Sequence, residues 1–225
     1  MSKTLIVGNK NYKNLDIGVV IDSFDSIKRC NMSLPMGKNG TKFGSLGLCC
    51  HLYRNLITNP ISKKEFYKQY HMYKKEEIDI FFENFDISKF SNCYYERSDI
   101  SFANYFLSSI GCPHKFHKQP RTGYVSIINS LAEKHQVVVC GFTIVKEETR
   151  DSWYVKENMG DTDCHDSASE IEVLRWLHAN NIVDASLCLL KDEETISFIE
   201  NDLKPTPFIM KFMELHYDKE HTVRN

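Results

Sequence analysis

His165 and Glu170 are the residues of this chain whose types and spacing best suit acid–base chemistry. Histidine titrates closest to neutral pH of all side chains, so the imidazole of His165 can accept a proton there. Glu170 lies about one turn into the helix that His165 opens, where its carboxylate can orient or polarise the imidazole. The pair predicts a general base with a supporting acid, and a surface or capping histidine is the alternative.

A possible anion site precedes a second predicted helix. Residues 124–134 have apolar side chains at helical spacing, and Thr122 can cap the helix start. The unpaired amides of such a start can hold an anion. Arg121 adds a guanidinium, which suits bidentate binding of a carboxylate or phosphate; a solvated loop arginine is the alternative. We predict that Arg121, Thr122 and Gly123 contact the anionic part of a ligand.

Carboxamide side chains follow two predicted strands. Residues 4–8 form a short β-branched run that ends in Gly8 and is followed by Asn9, and residues 24–30 alternate as a strand does before Asn31. Ligands collect at the carboxyl ends of parallel strands. We therefore predict that Gly8, Asn9 and Asn31 contact the same ligand. A base combined with a phosphate cradle predicts a nucleotide-sugar transferase.

The elements that position these residues predict one α/β domain over residues 1–225, a parallel sheet flanked by helices. Residues 137–142 are the clearest central strand, and a helix followed by a strand after an earlier strand is typical of a parallel sheet. Residues 185–190 are predicted as the last strand. A chain of 225 residues with 42% hydrophobic residues can bury one sizeable core and is short for two domains.

Two segments outside these elements have no clear assignment to the sheet. Residues 32–48 contain four glycines and are predicted as a loop, while residues 49–57 fit either a strand or a short helix. About residues 60–115 we predict a helical excursion over the sheet, with its aromatic residues used for packing.

Two further segments are residues 143–163, just before His165, and the end of the chain after residue 204. Residues 143–163 are polar and charged and are predicted as a lid that carries Tyr154. The segment after residue 204 predicts a short amphipathic helix. That helix either packs on the core or touches a membrane peripherally.

Charge and composition exclude several classes of function. The 28 basic and 30 acidic residues give a net charge of −2, so no nucleic-acid partner is expected. No apolar run approaches the roughly 20 residues of a membrane-spanning helix, so neither an integral membrane segment nor a signal peptide is expected. Eight scattered cysteines, several in apolar runs, indicate free thiols and a cytoplasmic protein.

Metal and dinucleotide sites are not expected either. Cysteines and histidines near residues 49–51, 112–117 and 164–165 lack the paired Cys-x2-Cys spacing of a structural zinc site. Asp161 and Asp163 are acidic lid residues, which are usually solvated. The residues after the first strand lack the glycine pattern that lets a pyrophosphate approach the backbone.

Three stretches resemble, in the same order along the chain, the motifs of sialyltransferases. The large sialylmotif is similar to residues 7–9, 21–25, 29–31 and 40–42, the small motif to residues 120–123 and 140–142, and the very short His-x4-Glu motif to His165 with Glu170. The resemblance spans roughly residues 5–180, although residues 50–115 match nothing. The motifs resemble those of glycosyltransferase family 29. The short layout and the arginine before Thr-Gly resemble those of the bacterial enzymes of family 42.

This resemblance implies an inverting, metal-independent enzyme with no cofactor. Such an enzyme transfers sialic acid from CMP-sialic acid, a nucleotide-sugar donor, to a hydroxyl group of a glycan or glycolipid acceptor, on a Rossmann-like variant of the GT-A fold. His165 then matches the general base. Asn9 and Asn31 match the asparagines that bind the phosphate and ribose region of the donor, and Thr122 and Gly123 match donor-binding positions of the small motif.

The chain departs from the family pattern in three places, one of which is Arg121, where the family has a serine before Thr-Gly. The two cysteines that form a disulfide in animal members are replaced by Lys3 or Thr4 and by Lys134, which agrees with a reducing compartment. The third motif normally provides a histidine beside a tyrosine, whereas residues 151–154 contain no histidine. Tyr154 either donates a hydrogen bond to the departing phosphate or only packs the lid.

Two other functions stay compatible with the sequence. Transfer of another CMP-activated ulosonic acid, such as Kdo, uses the same residues, because nothing in the sequence identifies the groups around the sugar tail. A non-catalytic nucleotide-binding or scaffold protein descended from the same fold is the second alternative, favoured by the missing third-motif histidine and the small size.

Overall fold

The computed structural model of the chain describes residues 3–10, 15–71, 73–145, 165–191, 196–199, 202–217 and 222–223. The helices within them are α1 (Gly18–Asp22), α2 (Cys50–Tyr53), α3 (Lys63–Gln69), α4 (Lys75–Asn84), α5 (Ile100–Ser109), α6 (Thr122–Ala132), α7 (Ser167–Ala179) and α8 (Pro207–His216). The strands are β1 (Lys3–Val7), β2 (Ser26–Cys30), β3 (Ser45–Leu48), β4 (Asn92–Tyr95), β5 (Gln136–Cys140), β6 (Val183–Asp184), β7 (Ile196–Ser197) and β8 (Thr222–Val223).

Six of these strands form one parallel sheet in the order β4-β3-β2-β1-β5-β6. The sheet and its flanking helices confirm the predicted α/β fold class. The strand order runs in one direction from β1 to β4 and in the other from β1 through β5 to β6. In open sheets of this kind, ligands bind in the crevice at the carboxyl ends of the strands where the order reverses, here β1 and β5.

Both faces of the sheet are covered, which explains the apolar runs of its central strands. On one face, Leu5 and Val7 of β1 pack with residues of α1 and α8, such as Ile21 and Ile209. On the other face, Ile6 packs with residues of α6 and α7. A third cluster joins β3 to α2, α3 and α4, with Leu46, Leu48, Leu52, Phe66, Ile78 and Phe81 fully buried or nearly so.

The glycine-rich and aromatic regions contain two strands that the sequence did not reveal. Residues 32–48 were predicted as a loop, yet β3 lies at their end and pairs with β2. The excursion predicted at about residues 60–115 does contain α3, α4 and α5, but it also contains β4 at the edge of the sheet. Residues 49–57 adopt the helical alternative, with α2 followed by a π-helical turn at Arg54–Thr58.

The predicted strand at residues 185–190 is wrong. The strand there is β6, which ends at Asp184, and Ser186–Leu189 form a 3-10 helix. The turn is favoured because the Asp184 carboxylate accepts hydrogen bonds from the backbone amide and the hydroxyl of Ser186, at 3.0 and 2.6 Å. By contrast, the helix predicted after residue 204 is confirmed as α8, with Pro207 in its first turn and Thr206 as its N-cap.

The membrane and cysteine predictions are addressed only within the described residues. None of the helices there combines the length and apolarity needed to cross a bilayer. All seven cysteines in the described part of the chain are free thiols, and burial raises the pKa of Cys30 to about 12. Cys164 lies outside the described residues, and the cytoplasmic location stays a prediction.

A buried arginine fixes the loop between β2 and β3. The Arg29 side chain is fully buried, and its guanidinium donates hydrogen bonds to the carbonyls of Lys42 and Asn39 at 2.8–3.0 Å. Asp22, at the end of α1, holds the same loop by accepting bonds from the backbone amides of Thr41 and Lys42 and from the Thr41 hydroxyl. This loop leads into β3, so these contacts set the position of that strand.

Asp22→Asn is expected to lower the free energy of unfolding at pH 7 by about 1 kcal/mol, a value reduced because the carboxylate is partly exposed. Partial burial by itself raises the pKa of Asp22, but hydrogen bonds from Lys42 and Thr41 outweigh it and lower the pKa below its usual value. Because the folded-state pKa lies below the unfolded one, this stabilisation is present above about pH 4 and is lost as the pH falls through the lowered pKa. Urea unfolding of both proteins from pH 7 to pH 3 tests this; an unfolding difference that stays constant over the range contradicts it.

Candidate functional site

The crevice where the strand order reverses begins with two closely packed glycines. A Cβ atom on Gly8 would lie 2.3 Å from the carbonyl oxygen of Gly141, so no side chain fits there. Gly141 has a φ of +75°, and the Gly8 amide donates to the carbonyl of Cys140 at 2.8 Å. Gly8 therefore brings the ends of β1 and β5 together, and its predicted contact with a ligand stays a prediction.

Asn9 presents a buried, unpaired acceptor at this crevice. Its Nδ2 donates to the carbonyl oxygen of Cys30 at 3.1 Å, which fixes the orientation of the carboxamide. Its Oδ1 is buried and accepts no hydrogen bond from any described residue. Buried side-chain oxygens are normally paired with protein or water. A ligand hydroxyl or amino group is therefore a suitable partner for Asn9.

Asn31 connects the ends of β2 and β3. It adopts the left-handed backbone conformation, with a φ of +53°, which asparagine tolerates better than most residues. Its Oδ1 accepts a hydrogen bond from the Cys49 amide at 2.9 Å, and its own amide donates to the Gly47 carbonyl at 2.8 Å. One side of the carboxamide thus has a structural role, and no described residue accepts a bond from its Nδ2.

The start of α6 packs against the end of β5. The helix begins at Thr122, and its N-cap is Arg121, which makes no capping hydrogen bond through its side chain; the prediction that Thr122 caps this helix is off by one residue. A Cβ atom on Gly123 would lie 2.5 Å from the ring of Phe142, and the same ring lies 3.0 Å from the Cβ position of Gly8. Phe142 thus brings the N-terminus of α6 to the ends of β1 and β5.

Arg121 and Glu170 bind each other, a contact that neither of the roles predicted for them included. The Glu170 carboxylate accepts from the Arg121 backbone amide at 2.7 Å, and its other oxygen forms an ion pair with the Arg121 guanidinium. Their side chains are 12% and 3% exposed. Arg121 was predicted to bind a donor anion and Glu170 to orient His165. The structure instead uses both oxygens of Glu170 to hold the start of α6 against α7.

His165 is oriented by a backbone carbonyl. Its Nδ1 lies 2.6 Å from the carbonyl oxygen of Gln119. Because a carbonyl can only accept, the proton of the neutral ring sits on Nδ1, and Nε2 carries the basic lone pair. Asp166 caps α7 through bonds from the amides of Ala168 and Ser169. His165 is partly buried just before this helix.

A second layer of contacts supports the Gln119 carbonyl. The Gln119 side chain donates to the hydroxyl of Ser98, which in turn donates to the carbonyl of Pro120 at 3.3 Å. Ser98 follows β4 closely in the sequence. The segment after β4 is therefore in contact with the loop that orients His165.

Glu96, also just after β4, is a buried carboxylate that supports α6 and that sequence reasoning missed. Its side chain is buried and accepts hydrogen bonds from Ser126 at 2.5 Å and Asn129 at 2.6 Å, both on α6. Burial and, after it, the Glu96 carboxylate raise the pKa of Tyr94. The network fixes the side of α6 that faces β4. A strand predicted at Asn92–Tyr95 would have placed Glu96 at the carboxyl end of that strand.

The remaining predicted residues lie outside the described part of the chain. These are Tyr154, most of the predicted lid at residues 143–163, and Asp161 and Asp163. Within the described ranges, no three side chains of the types that ligate metals lie together. Metal independence and the absence of a cofactor stay predictions.

His165, the start of α6 and the ends of β1 and β5 thus gather at the carboxyl edge of the sheet through a chain of direct contacts. Solved sialyltransferase structures are similar to this chain. A mammalian sialyltransferase in complex with Gal-beta-1-3GalNAc-ortho-nitrophenol is 19% identical, with 81% of this chain and 68% of the other covered and a TM-score of 0.45. CstII from Campylobacter jejuni in complex with cytidine-5'-monophosphate is 14% identical, with 95% and 97% covered and a TM-score of 0.44.

The monofunctional alpha-2,3-sialyltransferase Cst-I from Campylobacter jejuni is also 14% identical, with 96% of this chain and 93% of the other covered and a TM-score of 0.43. No protein-family model matches the chain, and no curated protein does so. At identities of 14–19% and TM-scores of 0.43–0.45, the activity of this chain has to be inferred from its own residues.

Proposed function

We propose that this chain is an inverting, metal-independent sialyltransferase that moves sialic acid from CMP-sialic acid to a hydroxyl group of a glycan acceptor. The observation that carries the proposal is a set of contacts at the carboxyl ends of β1 and β5: Phe142 packs against both Gly123 and Gly8, the residue before Asn9, and His165 is bonded to the Gln119 carbonyl just before α6. One edge of the sheet then offers hydrogen-bonding groups for a nucleotide, helix amides for a phosphate and a basic nitrogen for an acceptor hydroxyl. The order of the sequence motifs supports the same proposal.

Donor binding is proposed for the ends of β1 and β2 and the start of α6. Asn9 offers its unpaired Oδ1 to a hydroxyl or amino group of the nucleotide. Asn31 offers its Nδ2 as a donor. Thr122 and Gly123 lie in the first turn of an 11-residue helix, whose amides and dipole favour the phosphate. Because Arg121 is paired with Glu170, the helix amides supply the positive potential proposed for this anion.

His165 acts as the general base in this proposal. The hydrogen bond to the Gln119 carbonyl keeps the proton on Nδ1, so Nε2 takes the proton from the acceptor hydroxyl. The acceptor oxygen then bonds to the anomeric carbon as the bond from that carbon to the phosphate oxygen breaks, and CMP leaves. Attack from the face opposite the phosphate inverts the anomeric configuration. Stabilisation of the leaving phosphate by Tyr154 is part of the proposal from the sequence alone.

CMP is expected to raise the melting temperature of the protein by about 5–10 °C at 100 times its Kd, because ligand binding at that level adds about 2.7 kcal/mol of stability. Thermal shift with CMP, UDP, GDP, NAD and S-adenosylmethionine measures this. Asn9→Ala should remove most of the shift caused by CMP. Asn84→Ala, which changes an exposed asparagine of α4, should leave it unchanged.

Release of CMP from CMP-sialic acid and from CMP-Kdo, with and without glycan, distinguishes the donor classes. Release that depends on CMP-sialic acid and acceptor supports the proposal. Binding of CMP without release from either donor favours a non-catalytic nucleotide-binding protein. No response to CMP in either assay contradicts the proposed function.

A further inference from the structure

A seam of polar side chains is buried between α6 and the sheet. This polar seam consists of Glu96, just after β4, and of Ser126, Asn129 and Ser130 on α6. Ser126 and Ser130 are 1% and 0% exposed, and Glu96 is 5% exposed. The helix face that packs on a sheet is normally apolar, and glutamate is among the residues least often buried. Packing alone therefore does not account for these residue types.

Glu96 is the centre of the polar seam, because both of its carboxylate oxygens are used there. Oε2 accepts from the Ser126 hydroxyl at 2.5 Å, and Oε1 accepts from Asn129 Nδ2 at 2.6 Å. A Cβ atom on Gly47 of β3 would lie 3.0 Å from Oε2 and 3.3 Å from the Tyr94 hydroxyl. The glycine thus leaves the space that the carboxylate occupies. Hydrogen bonds to a carboxylate are among the stronger ones in proteins, so Glu96 fixes the second turn of α6.

Ser126 connects Glu96 to the proposed donor site at the ends of β1 and β2. The Cys30 thiol donates to the Ser126 hydroxyl, with 3.7 Å between Sγ and Oγ, and the Cys30 carbonyl accepts from Asn9 Nδ2 at 3.1 Å. A thiol is a weak donor, but Cys30 and Ser126 are each only 1% exposed, so neither can shift without displacing the other. Three successive contacts therefore connect the Glu96 carboxylate to the Asn9 carboxamide.

A second connection runs through β3. Gly47, against which the Glu96 carboxylate lies, accepts a hydrogen bond from the Asn31 amide at 2.8 Å through its carbonyl. Both asparagines of the proposed donor site are thus bonded to residues that contact the polar seam. The ring of His165 is instead oriented by the Gln119 carbonyl. A change at Glu96 is therefore transmitted to donor binding and not to the proposed base.

We propose that Glu96 is a positioning residue for donor binding, which acts through Ser126 and Cys30 on the Asn9 carboxamide. It sets the spacing between Asn9 Oδ1, which contacts the nucleotide, and the start of α6, which holds the phosphate. Groups that bind one ligand at two points must be held to within about 0.5 Å, and fully paired buried polar networks provide such rigidity. The inference deepens the proposed function and rests on it for the identity of the ligand.

Glu96→Gln keeps the shape of the side chain but replaces one acceptor with a donor. It is expected to raise the Kd for CMP and the KM for CMP-sialic acid about fivefold, as contiguous contact networks can transmit. At saturating donor, kcat should stay within about twofold of wild type, because His165 is oriented separately. Ser126→Ala should have the same effect on Kd and KM, and it carries the test if Glu96→Gln does not fold.

Ser130→Ala is the matched control. Ser130 is as buried as Ser126 and lies one turn further along the same side of α6, but it accepts a hydrogen bond from Lys28 Nζ at 3.0 Å. The Kd for CMP should be unchanged in this variant. An unchanged Kd in both Glu96→Gln and Ser126→Ala, or an equal rise in Ser130→Ala, overturns the proposal.

A double-mutant cycle tests whether Glu96 acts through Asn9. In the Asn9→Ala background the spacing between Asn9 and α6 no longer matters, so Glu96→Gln should raise the Kd for CMP by less than about twofold. The same rise of about fivefold in both backgrounds would show that Glu96 does not act through Asn9, and the positioning role would be wrong.

Amide NMR spectra of the protein without CMP separate this proposal from the proposed function. The side-chain amide resonances of Asn9 report its hydrogen bond to the Cys30 carbonyl. They are expected to shift in Glu96→Gln and Ser126→Ala and to stay in place in Ser130→Ala. If these shifts occur but CMP does not bind, Glu96 orients Asn9 in a protein without the proposed activity. Unchanged Asn9 resonances in Glu96→Gln and Ser126→Ala overturn the positioning role whether or not CMP binds.

Discussion

His165→Ala is expected to lower kcat for sialyl transfer about 10³-fold and to leave the Kd for CMP within about twofold of the wild-type value. Positioned general bases contribute about 10² to 10⁴ in rate. The upper part of this range applies because the Gln119 carbonyl fixes the tautomer, so that Nε2 is the nitrogen that accepts the proton. CMP is proposed to bind to Asn9, Asn31 and the start of α6. His165 is not part of this proposed binding site.

The measurement combines transfer assays with CMP titration. The pH profile of kcat adds a test that loss of structure would not reproduce. Wild-type activity should fall as the pH is lowered, because a protonated imidazole cannot act as a base, and the variant should lose this acidic limb. Imidazole added to the assay should restore part of the activity of His165→Ala by supplying the missing base.

His71→Ala provides a matched control, because His71 is exposed and lies between α3 and α4, on the side of the sheet opposite α6 and α7. It should keep wild-type kcat and the wild-type pH profile. If His165→Ala retained more than about a tenth of the wild-type kcat, His165 could not be the general base. The proposed mechanism would then have to be abandoned, although CMP binding could persist.

Sequence patterns were sufficient where an element is buried on both faces or has a defined start. The β-branched run before Gly8 and the run before Gly141 are β1 and β5, the two strands that form the crevice. Asp166 marks the start of α7 because its side chain accepts the amides of the first turn. These elements are enough to predict from the amino-acid sequence that His165 lies at the carboxyl edge of the sheet.

The edge strands could not be predicted in the same way. In β3, Gly47 and the preceding Gly44 interrupt the apolar pattern, and a Cβ at Gly44 would lie 2.3 Å from the carbonyl of Ile27. In β4, Tyr95 is exposed and Cys93 is only partly buried, so no alternation of apolar and polar residues marks the strand. Without β4, the buried Glu96 could not be placed against α6.

The partner of Glu170 was beyond the reach of sequence spacing. Glu170 and His165 are close in sequence, which favoured their pairing, whereas Arg121 is 49 residues away. The contact arises because α6 and α7 cover the same face of the sheet. Local motifs predict local neighbours, and a long-range ion pair depends on the packing of whole elements.

Glu170→Ala is expected to lower the free energy of unfolding by about 3–5 kcal/mol, the range found when one partner of a buried ion pair is removed. The large value follows from burial: the variant leaves the Arg121 guanidinium, only 12% exposed, without its carboxylate, and leaves the Arg121 amide without its acceptor. Donor affinity should fall as well, because the freed segment is the start of α6. Urea unfolding, with the m-value checked for constancy, measures the first effect.

A double-mutant cycle distinguishes the ion pair from a general weakening of α7. Arg121→Met combined with Glu170→Met should be less destabilising than the sum of the two single changes, because the double variant leaves no buried charge behind. Asp202→Ala is the control for an exposed ion pair. Asp202 binds Arg175, which lies on α7 as Glu170 does, but the Asp202 side chain is 73% exposed. The free energy of unfolding is therefore expected to fall by no more than about 1 kcal/mol. Strictly additive single effects at Arg121 and Glu170 would show that the two side chains do not stabilise each other, and the start of α6 would then be held by other contacts, such as that between Gly123 and Phe142.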